Sequence, residues 1–234
     1  MLELKGVRKK YEKNYIITDA TIKYEDGRIY GLAGYNGAGK TTLLKTMAGI
    51  YRPDGGEILA DGVSAVDNSA FRQDSFLMTE ELFFDPQSTL DGMSRFYQGY
   101  YPSWDGGVFE KLLKISGLDR KMKIAGFSKG MQRQTGLILA LSTVPHYLFL
   151  DETFDGLDIV KRNLLAKLLR SYADKRNALI VVTSHYLGEL ENMVDSVALM
   201  EDGVLTVPDR SESLEEYFTE KAGVSDEEIN SVFA

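Results

Sequence analysis

The chain has 234 residues, a formal net charge of −8 and no cysteine. The lack of cysteine excludes a disulfide framework, a thiolate nucleophile and a cysteine-ligated metal. The negative net charge argues against nucleic acid as the main partner, because a nucleic-acid-binding surface needs clustered positive charge.

Strand and turn signals dominate the first part of the sequence. The dipeptides Asp26-Gly27 and Asp61-Gly62 are typical of hairpin turns, and residues 53–56 predict a tight turn before a strand at 57–60. We therefore expect a small antiparallel β element around the first strand of the core.

A glycine-rich loop at 34–42 lies between a predicted strand at 29–33 and a predicted helix at 41–48. It reads Gly-Tyr-Asn-Gly-Ala-Gly-Lys-Thr-Thr, the phosphate-binding pattern G-x-x-x-x-G-K-[ST]. The N–H groups of such a loop and the helix N-terminus attract phosphates. We expect a nucleoside triphosphate with Mg²⁺, with Lys40 on the β and γ phosphates and the Thr41 hydroxyl on the metal. The candidate nucleotide-binding residues are Gly34, Asn36, Gly37, Ala38, Gly39, Lys40, Thr41 and Thr42.

The middle of the chain is predicted to be mainly helical. Residues 67–84 are expected to be irregular, whereas 89–141 are expected to form helices rich in aromatic residues. Asp202-Gly203 predicts a last hairpin. The prediction is a single domain over residues 1–234, with a core at 1–84 and 143–210, a helical subdomain at 85–142 and a C-terminal helical tail at 211–234.

Two more apolar strands are predicted at 147–150 and 178–182, separated by a helix at about 160–175. This order is typical of a parallel sheet that is covered on both faces. The first strand ends in two acids, Asp151 and Glu152. We expect Asp151 to hold Mg²⁺, directly or through water, and Glu152 to orient and deprotonate an attacking water.

A further segment, Phe-Ser-Lys-Gly-Met-Gln-Arg-Gln at 127–134, begins a predicted helix before these acids, and Thr-Ser-His at 183–185 follows the last apolar strand. Together with the loop at 34–42, this ordered series resembles the nucleotide-binding subunit of an ATP-binding cassette (ABC) transporter over about residues 2–207. The resemblance implies an α/β fold with a P-loop NTPase core, a mixed and mostly parallel sheet, an N-terminal antiparallel β element and an inserted α-helical subdomain. It also implies ATP and Mg²⁺ as cofactors.

The segment at 127–131 corresponds to the signature motif of that family, which is usually Leu-Ser-Gly-Gly-Gln. The resemblance implies that Ser128 and the amides near Gly130 bind the γ-phosphate of a nucleotide held by a second subunit. Lys129 departs from the commonest glycine. An ordinary helix N-cap is the alternative role for Ser128.

The same resemblance assigns three more residues. Tyr11 corresponds to an aromatic residue that stacks on adenine, although a core position is the alternative. Asp158 corresponds to the aspartate of the D-loop, and His185 to the histidine that senses the γ-phosphate and acts in catalysis. Thr153 stands where the family usually has proline.

The family also has a glutamine that contacts Mg²⁺ and the attacking water. Counting back from Thr89-Leu90 assigns this position to Glu80, with Thr79 as the alternative. A carboxylate there adds negative charge beside the metal. The simpler interpretation of Glu80 is a solvated loop residue.

The resemblance implies an ATPase subunit that couples ATP hydrolysis to transport by a separate membrane permease, with a second ATP-binding subunit that is either identical or different. Ser-Lys-Gly-Met at 128–131 and the stretch at 101–105 favour a bacterial exporter type. The longest apolar runs are too short to span a bilayer, so we expect no direct lipid insertion. The expected location is the cytoplasm, peripherally attached to the membrane through the permease. The alternatives are a soluble ABC ATPase that is not coupled to transport and a non-catalytic subunit. Asp151, Glu152 and His185 argue against the non-catalytic subunit.

Overall fold

The computed structural model describes residues 1–79, 84–85, 87–154, 156–184 and 187–208. Within these ranges, ten strands form one mixed sheet with helices on its faces. The strands are β1 (Leu2–Tyr11), β2 (Asn14–Tyr24), β3 (Ile29–Ala33), β4 (Gly55–Ala60), β5 (Val63–Ser64), β6 (Ser75–Met78), β7 (Tyr147–Leu150), β8 (Leu179–Thr183), β9 (Ser196–Glu201) and β10 (Val204–Thr206). The helices are α1 (Lys40–Met47), α2 (Ser69–Gln73), α3 (Leu90–Tyr100), α4 (Gly106–Ser116), α5 (Lys129–Ser142), α6 (Ile159–Arg176) and α7 (Leu187–Met193), with a 3-10 turn at Ile124–Gly126.

The strand order is β5-β4-β1-β2-β10-β9-β3-β8-β7-β6. Strands β9, β3, β8, β7 and β6 run parallel to their neighbours in this series, whereas β5, β4, β1 and β2 pair antiparallel. Strand β10 joins the two parts, since it is antiparallel to β9 and parallel to β2. The α/β fold class with an N-terminal antiparallel element is therefore confirmed.

The central strands are buried along their whole length because helices cover both faces of the sheet. Successive side chains of a strand point to opposite faces. In β7, Leu148 and Leu150 accordingly belong to the core cluster that includes α5 and α6, whereas Tyr147 and Phe149 belong to the cluster that includes α1. The continuous apolar runs in the sequence thus correspond to strands inside a three-layer arrangement.

Most of the predicted elements are present. The strands at 29–33 and 147–150 match β3 and β7, and the helix at 160–175 lies within α6. The turns at Asp61-Gly62 and Asp202-Gly203 each connect two antiparallel strands, as predicted.

Two local predictions were wrong. Asp26-Gly27 is not a hairpin turn, because β2 pairs with β1 and β10, whereas the fully buried β3 lies between β8 and β9. The segment at 67–84 is not wholly irregular, since it contains α2, capped by Asn68, and the edge strand β6. Strand β6 gains its hydrogen bonds from β7, and so it depends on tertiary pairing.

The helices between β6 and β7 carry the aromatic residues. Tyr97 and Tyr101 stack on each other with ring centroids 5.9 Å apart, and both contact Phe76 of β6. Phe96 and Tyr100 on α3 are 55% and 71% exposed. Most of these rings therefore fill the core, and two remain on the surface.

The helices of the described ranges all fall short of the length and apolarity that crossing a membrane requires. The predicted tail at 211–234 lies outside the described residues.

Candidate nucleotide-binding site

The site lies at one edge of the parallel part of the sheet, where β3, β6, β7 and β8 end. The strand register pairs Leu32 with Thr183, Leu150 with Val182, and Met78 with Leu150. The segments that follow these strands are consequently neighbours. They are the phosphate-binding loop, Thr79 after β6, the acids at 151–152 and Ser184 after β8.

The phosphate-binding loop needs its glycines for steric reasons. Gly34, Gly37 and Gly39 have φ angles of 155°, 83° and 105°. A Cβ atom on Gly34 would lie 2.3 Å from the carbonyl oxygen of Met200, which is closer than any stable contact. Gly39 is the N-cap residue of α1, so the loop leads directly into the helix N-terminus.

Lys40, the first residue of α1, is buried within the loop. Its Nζ donates hydrogen bonds to the carbonyl oxygens of Gly34, at 2.8 Å, and Tyr35, at 3.2 Å. Burial lowers the pKa of Lys40, and the charges of Glu152 and Asp151 oppose that shift. The ammonium group is thus held beside the loop and faces two acids.

Thr41 connects the loop to the first acid. Its Oγ1 donates a 2.8 Å hydrogen bond to Oδ2 of Asp151, and the other carboxylate oxygen, Oδ1, accepts one of the same length from Thr183 Oγ1. The backbone N–H of Asp151 donates to the carbonyl oxygen of Met78 at 2.8 Å. The carboxylate is therefore fixed between α1 and β8, and it is 2% exposed.

Glu152, the second acid, has an unusual backbone. Its φ angle is 49°, in the left-handed region that residues with a side chain seldom adopt. Its backbone N–H donates to Thr183 Oγ1 at 2.9 Å, and the residue is 5% exposed. The turn at Glu152 ends β7 and brings this acid to the cleft beside Lys40.

A cleft of about 600 Å³ lies over the loop. Tyr11, 44% exposed, forms one wall, and its ring contacts the ring of Tyr51 edge to face at 5.9 Å. Partial burial raises the pKa of Tyr11, the hydroxyl of Tyr51 acts in the same direction, and Thr42 acts in the opposite one. The residues that line the cleft are Tyr11, Ile16, Asn36, Gly37, Gly39, Lys40, Thr41, Thr42 and Glu152.

Ser128, Gly130 and Asp158 lie outside this cleft. Ser128 is exposed and caps α5, since its Oγ accepts a hydrogen bond from the Met131 N–H at 3.3 Å. Asp158 caps α6 through the Lys161 N–H at 2.9 Å, and this bond lowers the pKa of Asp158. A Cβ atom on Gly130 would lie 3.0 Å from the carbonyl oxygen of Gly156, so the segments before α5 and α6 are adjacent.

Two of the predicted site residues, Glu80 and His185, lie outside the described residues. Thr79, the alternative to Glu80, directly follows β6, and its carbonyl oxygen accepts a 3.1 Å hydrogen bond from Arg133 Nη1. Because the Met78 carbonyl bonds to Asp151, the chain leaves β6 beside the two acids.

The model of the family described as "ABC transporter" matches residues 17–155. The chain belongs to the ABC transporter family. It is 32% identical over 218 residues to the ABC transporter ATP-binding protein YtrB of Bacillus subtilis (strain 168). This match covers 93% of this chain and 75% of YtrB. It is 31% identical over 209 residues to the Nod factor export ATP-binding protein I of Burkholderia orbicola (strain AU 1054), covering 86% of this chain and 68% of that protein.

A solved structure of an ATP-binding subunit of an ABC transporter superposes with a TM-score of 0.83 at 25% identity. The match covers 95% of this chain and 99% of that one. The chain is thus an ATP-binding and ATP-hydrolysing subunit of an ABC transporter, as the order of its motifs predicted. The P-loop NTPase core is likewise confirmed.

Sequence reasoning missed two residues of the site. Thr183 bonds to both acids, and Tyr51 supports the ring of Tyr11. A hydroxyl at the end of a buried strand, next to a strand that ends in acids, was the available signal for Thr183. No local pattern distinguishes Tyr51 from an ordinary loop tyrosine.

Proposed function

We propose that this chain is the ATPase subunit of an exporter, and that it binds Mg-ATP in the cleft over residues 34–42. The observation that carries the site assignment is the hydrogen bond between Thr41 and Asp151, at 2.8 Å, beside the buried Lys40. This contact joins the end of the phosphate-binding loop to a strand that delivers acids to the same edge. An ordinary glycine-rich turn before a helix requires neither the lysine nor the acid.

The oxygen atoms at this edge suit Mg²⁺. A hydroxyl and a carboxylate are hard donors, and Mg²⁺ in nucleotide sites usually takes only one or two protein ligands beside water and phosphate oxygens. Thr41 and Asp151 would hold the ion, and Glu80 is the further candidate. When bound, the ion supplies positive charge that neutralises the triphosphate.

The chain's own groups account for the remaining steps. Lys40 would bind the β and γ phosphates together with the N–H groups of the loop, and Tyr11 would stack on the base. Glu152 lines the cleft together with Lys40, and its carboxylate would accept a proton from the attacking water. His185 would contact the γ-phosphate.

We infer that a second subunit completes the site. Ser128 lies outside the cleft of its own chain, exposed at the N-terminus of the 14-residue helix α5. A helix N-terminus attracts phosphate. Ser128, the Gly130 amide and Asp158 would therefore contact the nucleotide or the loop of the other subunit, so that each subunit contributes to both sites.

The permease would contact the aromatic surface of α3, defined here as Phe96 and Tyr100. Their rings lie 5.1 Å apart, and both are more than half exposed. Attachment there would hold the subunit at the cytoplasmic face of the membrane. The similarity to a Nod factor export ATP-binding protein supports export as the direction.

The composite site can be tested with Glu152→Gln, which keeps the shape of the side chain but removes its basicity. We expect hydrolysis to fall by about 10²-fold or more, as for loss of a general base, while ATP binding survives. With Mg-ATP, this variant should accumulate as a dimer in size-exclusion chromatography. Adding Ser128→Arg should block the dimer by steric conflict, because the longer side chain would collide with the nucleotide held by the other subunit.

The matched control is Ser69→Arg, because Ser69 is also exposed at the start of a helix. Glu152→Gln with Ser69→Arg should still form the dimer. If Glu152→Gln stays monomeric with Mg-ATP at high protein concentration, two identical subunits do not form the composite site. Mixing with a candidate second subunit then tests a pair of different chains. If purification of this protein from its native membrane recovers no bound permease, the result would favour an ATPase that is not coupled to transport.

A further inference from the structure

Thr183, the last residue of β8, lies between the two acids and is fully buried. Its hydroxyl donates to Asp151 Oδ1 at 2.8 Å and accepts from the Glu152 backbone N–H at 2.9 Å. We propose that Thr183 is a positioning residue that sets both the carboxylate of Asp151 and the backbone turn of Glu152. The functional part of this proposal rests on the roles proposed above for the two acids.

The backbone of Glu152 needs such support. Its φ angle of 49° places a residue with a Cβ atom in the left-handed region, a conformation that persists when the surrounding structure enforces it. The turn ends β7, and the Glu152 N–H is buried, so this group needs a hydrogen-bond acceptor inside the protein. Thr183 Oγ1 is that acceptor, and it holds the turn that brings Glu152 to the cleft.

The same hydroxyl limits rotation of the Asp151 carboxylate. Thr41 Oγ1 bonds to Oδ2 and Thr183 Oγ1 bonds to Oδ1, so one hydroxyl stands on each side of the carboxylate. Thr41 belongs to α1 and Thr183 to the strand next to β7. As a β-branched residue, threonine also has a restricted χ1 angle, which keeps its hydroxyl in place.

Side-chain chemistry explains why one residue serves both acids. A hydroxyl offers one donor and two acceptor positions. At Thr183 the donor is used on a carboxylate and an acceptor position on an amide. Valine has the shape of threonine without either function, and serine keeps both functions without the methyl group. Comparing the valine and serine variants therefore separates the effect of the hydroxyl from the effect of methyl packing.

The test compares Thr183→Val with Thr183→Ser. In the valine variant we expect kcat for ATP hydrolysis to fall by about 10- to 100-fold, the usual cost of losing a group that orients a metal ligand. The KM for ATP should stay close to its original value, because the loop that binds the phosphates is unchanged. The serine variant should keep most of the kcat.

A second readout uses the protein without nucleotide or metal. Hydrogen exchange at the Glu152 amide, followed by NMR, should be about tenfold faster in Thr183→Val, since opening of the turn then breaks one hydrogen bond fewer. Thr183→Ser should retain the slow exchange. The matched control is Thr143→Val, which removes a buried hydroxyl that bonds to the Ala140 carbonyl oxygen at 2.8 Å, away from the acids. The control should change neither kcat nor exchange at Glu152.

The outcomes separate this proposal from the proposed function. If Glu152→Gln hydrolyses ATP at the original rate, the catalytic role of Glu152 is wrong, and exchange at its amide still decides whether Thr183 holds the turn. Unchanged kcat and unchanged exchange in Thr183→Val would overturn the positioning role. A loss of kcat in the serine variant with none in the valine variant would mean that the methyl group matters and the hydroxyl does not. Should the valine variant not fold, Thr183→Ala against Thr183→Ser makes the same comparison.

Discussion

The phosphate-binding loop offers two positions for one substitution, glycine to alanine, with different expected results. At Gly34 the new Cβ atom would lie 2.3 Å from the Met200 carbonyl oxygen and 3.4 Å from Ala38 Cβ. At Gly37 no heavy atom outside the adjacent residues lies within 4 Å of the new Cβ position. Both glycines have positive φ angles, of 155° and 83°. Both variants therefore carry backbone strain, but only Gly34→Ala adds a steric clash.

The difference in stability follows from these distances. An alanine at such a φ angle costs about 1–3 kcal/mol of the free energy of unfolding in either variant. Gly34→Ala adds about 1–3 kcal/mol because a packed region must shift to admit the new methyl group. Since 1 kcal/mol shifts Tm by about 2–4 °C in a chain of this size, we expect Gly34→Ala to unfold roughly 2–12 °C below Gly37→Ala.

The assay is thermal unfolding by circular dichroism, with and without Mg-ATP. Ligand that binds the folded state raises Tm by mass action. Gly37 lines the cleft, so Gly37→Ala should fold but show a smaller increase of Tm with Mg-ATP than the original protein. Equal Tm values for the two variants would refute the collision argument. An undiminished increase of Tm in Gly37→Ala would show that the loop at Gly37 does not approach the phosphates.

Three further predictions concern other parts of the protein. If Glu80 occupies the position of the family's glutamine, Glu80→Gln should change the Mg²⁺ concentration for half-maximal ATP hydrolysis, because a negative charge beside the ion would be removed; an unchanged value would favour Thr79 instead. Tyr11→Ala should raise the KM for ATP in steady-state assays and Tyr11→Trp should not, since stacking needs only an aromatic face. A KM for Tyr11→Ala equal to that of the original protein would place the base elsewhere. Asp105 caps α4 through the Gly107 and Val108 N–H groups, so Asp105→Ala should lower the free energy of unfolding in urea by about 0.5–2 kcal/mol, whereas Asp105→Asn should lose less.

The sequence predicted best those features that a short contiguous segment encodes. The phosphate-binding loop is one such segment, and strand β7 with its acids is another. Four apolar residues predict a buried strand, and the two carboxylates that follow mark the point where it ends. Asp61-Gly62 succeeded as a hairpin signal because its two strands are adjacent in the sequence and in the sheet. Asp26-Gly27 failed because the same kind of turn leads from β2 into β3, which pairs with strands distant in the sequence.

By itself, then, the sequence determined the fold class, the family and ATP as the ligand, and it predicts the residues next to the phosphates, because these depend on local patterns of glycine, apolar and acidic residues. The tertiary structure decided which strands pair, including the edge strand β6, and it placed Thr183 between Asp151 and Glu152. It also placed Tyr51 behind Tyr11. The physical reason is that a hydrogen bond or ring contact between distant segments depends on the register of neighbouring strands, which no single segment encodes.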